Sequence, residues 1–540
     1  MPRSRPPSSF RPVVATVLAI AALAARAEGP AAPMLRAEPG SGFTVRPLWT
    51  VGERIGDYQP PGVPDGLAVF PWAPGVVRVF MNHELAADAG YAWQLANGTG
   101  LAGARVSYLD LDAATLAVRG AGPAILAVQD RQGRPVTAAA QVNERPGSDP
   151  RSARSGFDAL CSAQGYRRGQ YGFADDIFLT GEEASAREGH PHGGSLWALD
   201  VRDGTLWALP ALGRGSWENV TAVTPPDADR PDGHVALLLG DDLEFGAAPL
   251  YLWVGRKNPA GTFPDRNGLV RGRLYVWAAA SGDRTPAQWR GSGSRREGRF
   301  LPITARDLIR AGSRGYDRAG YLDDTTLRGL ADARGAFRFS RPEDLHTDPR
   351  NGTEAVFAST GHGDVFPADE WGDLYRVSVR FAPGAGGEPE PSAAITLVYD
   401  SDERGDAGLR NPDNLVWAVD GRVYVQEDKA VKRARFGATG GEAGIWVLPP
   451  DGPADAARRI ATVDRTAVPA GSTDAKAREA GAWESSGIVD ASPALGSWPQ
   501  RLALLATVQA HSVTDGAIGG REGLVQAGQL LLLERPAGGR

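Results

Sequence analysis

A single cysteine, Cys161, in 540 residues rules out a disulfide scaffold. No apolar run reaches the roughly 18 residues that a membrane-spanning helix needs. Lysine is scarce, with four against 54 arginines. A GC-rich genome is the preferred cause of that bias, and the use of arginine on oxyanions is the alternative. Helical periodicity is also rare, and only Arg306–Ala311 and Thr325–Ala333 suggest helices. No G-x-S-x-G elbow is present, so no serine nucleophile of the α/β-hydrolase kind is indicated. There is no H-E-x-x-H and no EF-hand loop. Gly98-Thr99-Gly100-Leu101-Ala102-Gly103 fits G-x-G-x-x-G, but a strand-like stretch follows it where a nucleotide-binding turn needs a helix.

The formal net charge is −6, and residues 1–27 hold four arginines and no acid. The remainder is therefore more acidic still, which argues against nucleic acid as a partner and favours cations. Residues 1–27 read as a secretory signal peptide, with a basic start, an apolar stretch Val13–Ala25 and an A-x-A site at Ala25-Arg26-Ala27. The expectation is a periplasmic or extracellular protein with residues 28–540 as one domain. It would have no membrane span and would act as a monomer.

What is abundant is glycine, with 69 residues, and short apolar runs ended by glycine, aspartate or asparagine turns. Val76–Phe80, Val235–Leu239, Leu250–Val254, Arg273–Trp277, Gly444–Leu448 and Gln529–Leu533 each fit a strand of about five residues. Ser195–Leu199 and Thr205–Leu209 flank Asp203-Gly204 as a hairpin would. Many hairpins without helices predict an all-β fold, a β-propeller. Six blades are expected, with insertions at 129–170, 255–270, 281–300 and 310–335. Trp197, Trp207, Trp253, Trp277 and Trp417 are expected to pack between blades.

Acidic clusters sit at strand ends: Asn82-His83-Glu84, Glu182-Glu183, Glu218-Asn219, Asp241-Asp242, Glu343-Asp344, Asp413-Asn414, Glu427-Asp428 and Glu484. Adjacent carboxylates repel, and burying them unpaired is costly. Near a propeller axis they would require cations. Oxygen ligands favour calcium, and added histidine would permit iron or zinc. His83 and His511 read either as site residues or as hydrogen-bonded core histidines.

In order along the chain, Pro64-Asp65-Gly66, Leu179-Thr180-Gly181-Glu182-Glu183, Gly240-Asp241-Asp242, Arg341-Pro342-Glu343-Asp344, Pro412-Asp413-Asn414, Glu484-Ser485-Ser486-Gly487 and Val508-Gln509-Ala510-His511 resemble the PhoX-type alkaline phosphatases. Together they suggest a divergent branch of that superfamily. The resemblance implies a six-bladed propeller that binds calcium and iron and hydrolyses small phosphate esters, with a metal-activated water or oxide as nucleophile. It maps Arg341 to the phosphate. It maps Glu182, Glu183, Glu343, Asp413 and Glu484 to metal ligands, joined here by Asp241, Asp242, Glu427 and Asp428. Asn82, His83, Glu84, Glu218, Asn414 and His511 are further candidates. The family's cysteine ligand falls at Gly181, which puts iron in doubt. Two other readings remain open: a calcium-dependent lactonase-type hydrolase, and a non-catalytic, calcium-stabilised binding propeller.

Overall fold

The computed structural model describes residues 31–142, 156–244, 246–431, 435–520 and 523–536. The expected signal peptide, 1–27, lies outside them. Among the described residues no helix is long and apolar enough to cross a membrane.

Six strands line the axis, one from each four-stranded antiparallel unit: Pro64–Ala73, Leu160–Tyr166, Trp217–Val223, Pro342–Asp348, Pro412–Trp417 and Glu484–Asp490. Each touches the next around the ring, and the last meets the first. The fold is therefore all-β and a propeller, as expected. Closure uses the N-terminal part of the chain. Thr44–Thr50 pairs with Ala527–Pro536 to complete the sixth blade, and Leu35–Ala37 adds a strand to the fifth.

The blades differ from the expectation in two respects. The segment 129–170, read as an insertion, holds the axial strand Leu160–Tyr166. Blades three and four are fused into one nine-stranded sheet, because Arg295–Ile303 pairs with Gly272–Ala279 on one side and with Pro389–Asp400 on the other. Part of the segment read as the insertion 281–300 is thus a strand. Of the two expected helices, one forms as Asp324–Ala333. Asp323 caps it by accepting from Thr326 N at 2.7 Å. Arg306–Ala311 holds only a single turn of 3-10 helix, Leu308–Arg310.

Middle strands such as His234–Asp241 are buried along their whole length, since both faces pack on neighbouring blades. Trp197, Trp253, Trp277 and Trp417 lie in the buried layers between blades, while Trp207 is half-buried at the margin.

Candidate metal centre

The six axial strands begin alike. Each carries a bulge within its first turn of residues, marked by a register shift of one against the second strand of its blade. Aligned on that bulge, the chain reads Pro64-Asp65-Gly66-Leu67, Leu160-Cys161-Ser162-Ala163, Trp217-Glu218-Asn219-Val220, Pro342-Glu343-Asp344-Leu345, Pro412-Asp413-Asn414-Leu415 and Ser485-Ser486-Gly487-Ile488. A bulge re-aims a side chain that the pleat would otherwise place elsewhere. The second position of each motif supplies the groups that converge: Asp65, Cys161, Glu218, Glu343, Asp413 and Ser486.

Strain marks the approach to these bulges. Val63, Ala159, Arg341 and Asn411 each precede an axial strand and hold left-handed backbone, with φ of 53°, 41°, 59° and 41°. None is glycine, so the surrounding structure must enforce the conformation.

A second tier comes from the residue that follows the second strand of a blade. Glu84, Glu183, Asp242, Thr360 and Asp428 occupy this position in the first five blades, and Gln509 enters the same space from the sixth. Three overlapping groups place one ligand atom from each residue within 4.8 Å of the others: Asp65, Glu84 and Cys161; Cys161, Glu183 and Glu218; Glu218, Glu343 and Asp413. Glu484 joins them through its charge on Asp413.

The electrostatics show how poorly this arrangement suits a protein alone. Burial raises the pKa of Asp65. In Glu84, Glu183, Glu218, Glu343, Asp413 and Glu484, burial first and then neighbouring carboxylates push the pKa well above the ordinary range. Burial, then the charges of Asp65 and Glu218, does the same to the Cys161 thiol. Oδ1 of Asp65, Oε1 of Glu218 and Oδ1 of Asp413 are buried without a hydrogen-bond partner. Orphaned acceptors of this kind are rare in folded proteins, and three of them facing one space fit a bound cation.

Arg341 stands beside this cluster. Its Nε and Nη2 grip Asp242 at 2.8 and 2.9 Å, and Nη2 lies 3.0 Å from Glu343 Oε1. His511 sits at the rim, half-exposed, with Nε2 3.1 Å from Glu484 Oε2 and Nδ1 2.6 Å from Gln526 Oε1.

Three expected ligands are not brought to the axis. Glu182, Asp241 and Glu427 are the last residues of their strands, one residue before the second tier, and successive strand side chains point to opposite faces. Glu182 is held by Arg131, Ser195 N and Trp197 Nε1. Asp241 is held by Arg328 and Ser216 N. Glu427 accepts a fork from Arg410 at 2.9 and 2.8 Å and also takes Gly444 N. Each is neutralised by an arginine and further held by backbone donors, so its charge is already balanced without an ion.

His83 is a core histidine. Nδ1 lies 3.0 Å from Gly62 O and Nε2 2.7 Å from Ser107 Oγ, and burial lowers its pKa to about 3. Asn82 braces the site from behind. Its Nδ2 donates to Cys161 O, Ser162 O and Thr180 Oγ1 at 2.7, 3.1 and 2.8 Å. Asn414 Oδ1 accepts from Ser486 Oγ at 3.3 Å, linking the fifth and sixth bulges.

Gly181 is not a ligand position. A Cβ there would stand 2.4 Å from Trp217 O and 2.5 Å from Trp217 Cβ, so no cysteine would fit. The thiol that reaches the axial acids is Cys161.

Fold and site together define a β-propeller with an acidic, thiol-containing axial centre. The family model described as "Alkaline phosphatase PhoX" matches residues 203–446. Pseudomonas fluorescens PhoX, solved in complex with vanadate, is similar over 94% of this chain and 97% of its own, with a TM-score of 0.59 at 17% identity. At that identity the structural match speaks to the fold, while the family match bears on sequence, and together they bear out the PhoX likeness read from the motifs. A glucose dehydrogenase matches at a TM-score of 0.25 and 10% identity, covering 72% of this chain and 97% of that one. A Ruminococcus gnavus intramolecular trans-sialidase matches at 0.28 and 8%, covering 89% and 96%. No curated protein sequence matches the chain.

Proposed function

We propose that this protein is a secreted, metal-dependent phosphatase-like hydrolase of small phosphate esters, working in the periplasm or outside the cell as a monomer. The observation that carries this reading is the convergence of unpartnered, buried carboxylate oxygens on the propeller axis beside Cys161 and Arg341. The family match supports the phosphatase class, and the relative of like fold was solved with vanadate, a transition state analogue.

The donor set suggests which ions would fit. Glu218, Glu343 and Asp413 offer oxygen alone, which suits calcium. Cys161 with Asp65, Glu84, Glu183 and Glu218 mixes sulfur with oxygen, which admits iron. Cations held there supply positive charge for the ester's oxygens and acidify water for attack.

The chain's own residues do the rest. Arg341 is fixed by Asp242, so its guanidinium plane is set before substrate arrives, and Nη1 makes no hydrogen bond among the described residues. It would receive a phosphoryl oxygen with little reorganisation. His511, whose Nε2 lies 3.1 Å from Glu484 Oε2, would serve as proton donor to the departing alkoxide. No side-chain nucleophile is required, in keeping with the missing serine elbow.

Metal analysis by mass spectrometry after native purification, followed by p-nitrophenyl phosphate hydrolysis with calcium or iron restored, tests the proposal. Bound metal and turnover lost on chelation are expected. Bound metal without turnover on phosphate esters would leave a binding propeller or a hydrolase of another ester.

A further inference from the structure

A second acidic cluster lies away from the axis, at the corner of blade four where Asp373–Pro383 begins and Pro389–Asp400 ends. Asp369, Asp373, Asp400 and Asp402 surround one cation, Arg290. That guanidinium bonds Asp373 Oδ2 at 2.8 Å, Asp400 Oδ1 and Asp402 Oδ2. It stops 3.7 Å short of Asp369. Asp400 is completed by Gly291 N, and Asp402 by Glu370 N and Trp371 N.

Asp369 has no such completion. It is wholly buried, and neither of its oxygens has a hydrogen-bond partner. Asp373 Oδ1, also wholly buried, is equally alone, as is the hydroxyl of Ser401. Four carboxylates against one arginine leave a local excess of negative charge, and three of the four, Asp369, Asp373 and Asp400, are buried. Protonating Asp369 would relieve part of this charge but would still leave the unpartnered Oδ1 of Asp373 without a cation. A hard cation takes several carboxylate oxygens at once. We propose that this corner is a divalent-cation site of calcium type, with Asp369 and Asp373 as its ligands. Burial, and for Asp369 the charge of Asp373, holds the Asp369 carboxyl well above its usual range. Burial also raises the Asp373 carboxyl, against the pull of Arg290.

The site has a consequence for the axis. Thr360 opens the segment that carries Asp369, and its Oγ1 donates to Pro412 O at 2.7 Å. Trp371 O accepts from Asn411 N at 2.6 Å. Asn411 is the left-handed residue two positions before Asp413. An ion on Asp369 would therefore brace the strained approach to the fifth axial strand without touching the axial groups.

The test uses the full chain, stripped with chelator and refilled with calcium alone, with bound ions counted by mass spectrometry. Asp369→Asn is expected to lower the count by one per chain. It should do so equally in an Asp413→Asn background, so failure of the axial reading would not hide the result. In crystals of the unmutated chain grown with terbium, an anomalous peak is expected between Asp369 and Asp373. An unchanged count in a folded Asp369→Asn chain would overturn the site. So would a terbium map with no peak at that corner, and the map alone decides should the variant not fold.

Discussion

Glu427 and Asp428 are neighbours in sequence and opposites in environment. Glu427 meets a buried arginine and two backbone donors. Asp428 turns to the axis, where its charge bears on Asp413 and Glu484. The same division separates Glu182 from Glu183, whereas Asp242, next to Asp241, faces the axis but takes a fork from Arg341. One residue of each pair is a structural anion with its counter-ion built in. The other belongs to a cluster with too few cations of its own, apart from Arg341. Acidity alone does not make a ligand. What distinguishes the two classes is whether the fold has already satisfied the oxygen.

The difference is open to measurement, and the structural class should give the larger effect. Glu427→Ala leaves Arg410 buried with its main partner gone, and removing one member of a buried pair costs about 3–5 kcal/mol. Urea unfolding should report that loss, while turnover per folded molecule changes little. A stability change below about 1 kcal/mol would show that Asp406, 3.0 Å from Arg410, suffices as counter-ion and would weaken the distinction.

Axial substitutions should act in the opposite sense. Glu343→Gln is expected to lower hydrolysis of p-nitrophenyl phosphate by roughly 10²–10³-fold, the scale on which one preorganised electrostatic group contributes. The metal-free chain should meanwhile become more stable, because a repelling charge has gone. The pH dependence follows from the same shifts. The axial acids have folded pKa values raised above their unfolded values near 4. Above that pH the folded metal-free chain binds more protons than the unfolded one, so its stability falls as pH rises through the folded values. Thermal melts in chelator should therefore decline from about pH 5 to pH 8, and calcium should flatten the decline. A metal-free chain equally stable at both ends would remove the repulsion on which the comparison stands.

Much of this was legible in the sequence. The strands announced themselves as apolar runs between turns, and the helix at Asp324–Ala333 through its periodicity. Leu160–Tyr166, taken into the insertion 129–170, did not, nor did Arg295–Ile303, whose exposed arginines and glutamate lie along an edge shared by two blades. At the site, the acids were readable as clusters, but their direction was not. Whether a strand-end acid faces the axis depends on a bulge and on the arginine behind it, and Arg131 and Arg328 come from segments far along the chain. Cys161 was missed for a different reason. The resemblance placed the family's cysteine at Gly181, whereas the signal for Cys161 lay in the repeat itself. Leu160-Cys161-Ser162-Ala163 occupies the frame that Pro64-Asp65-Gly66-Leu67 and Pro412-Asp413-Asn414-Leu415 occupy elsewhere.

The repeat also yields the smallest and most local effect. Asn82 and Gln426 hold equivalent places, one before the end of the second strand in their blades, and each donates to the bulge of the following blade. Asn82 reaches Cys161 O and Ser162 O, and Gln426 reaches Ser486 O at 2.6 Å. In blades two and three the same place is glycine, and there the backbones meet directly: a Cβ on Gly181 would strike Trp217 O, and one on Gly240 would strike Glu343 O at 2.3 Å. The position thus sets the distance between blades, with an amide where a gap must be bridged and glycine where none exists. Asn82→Ala leaves Cys161 O without its side-chain donor, at about 1–3 kcal/mol, while Ser162 O keeps Thr180 Oγ1 at 3.2 Å. Because those carbonyls flank Cys161, iron should be released more readily from the variant while calcium binding at Glu218, Glu343 and Asp413 persists. Competition with a chelator, followed separately for the two metals, checks this. Equal loss of both would mean that Asn82 supports the whole ring and not the bulge that carries the thiol.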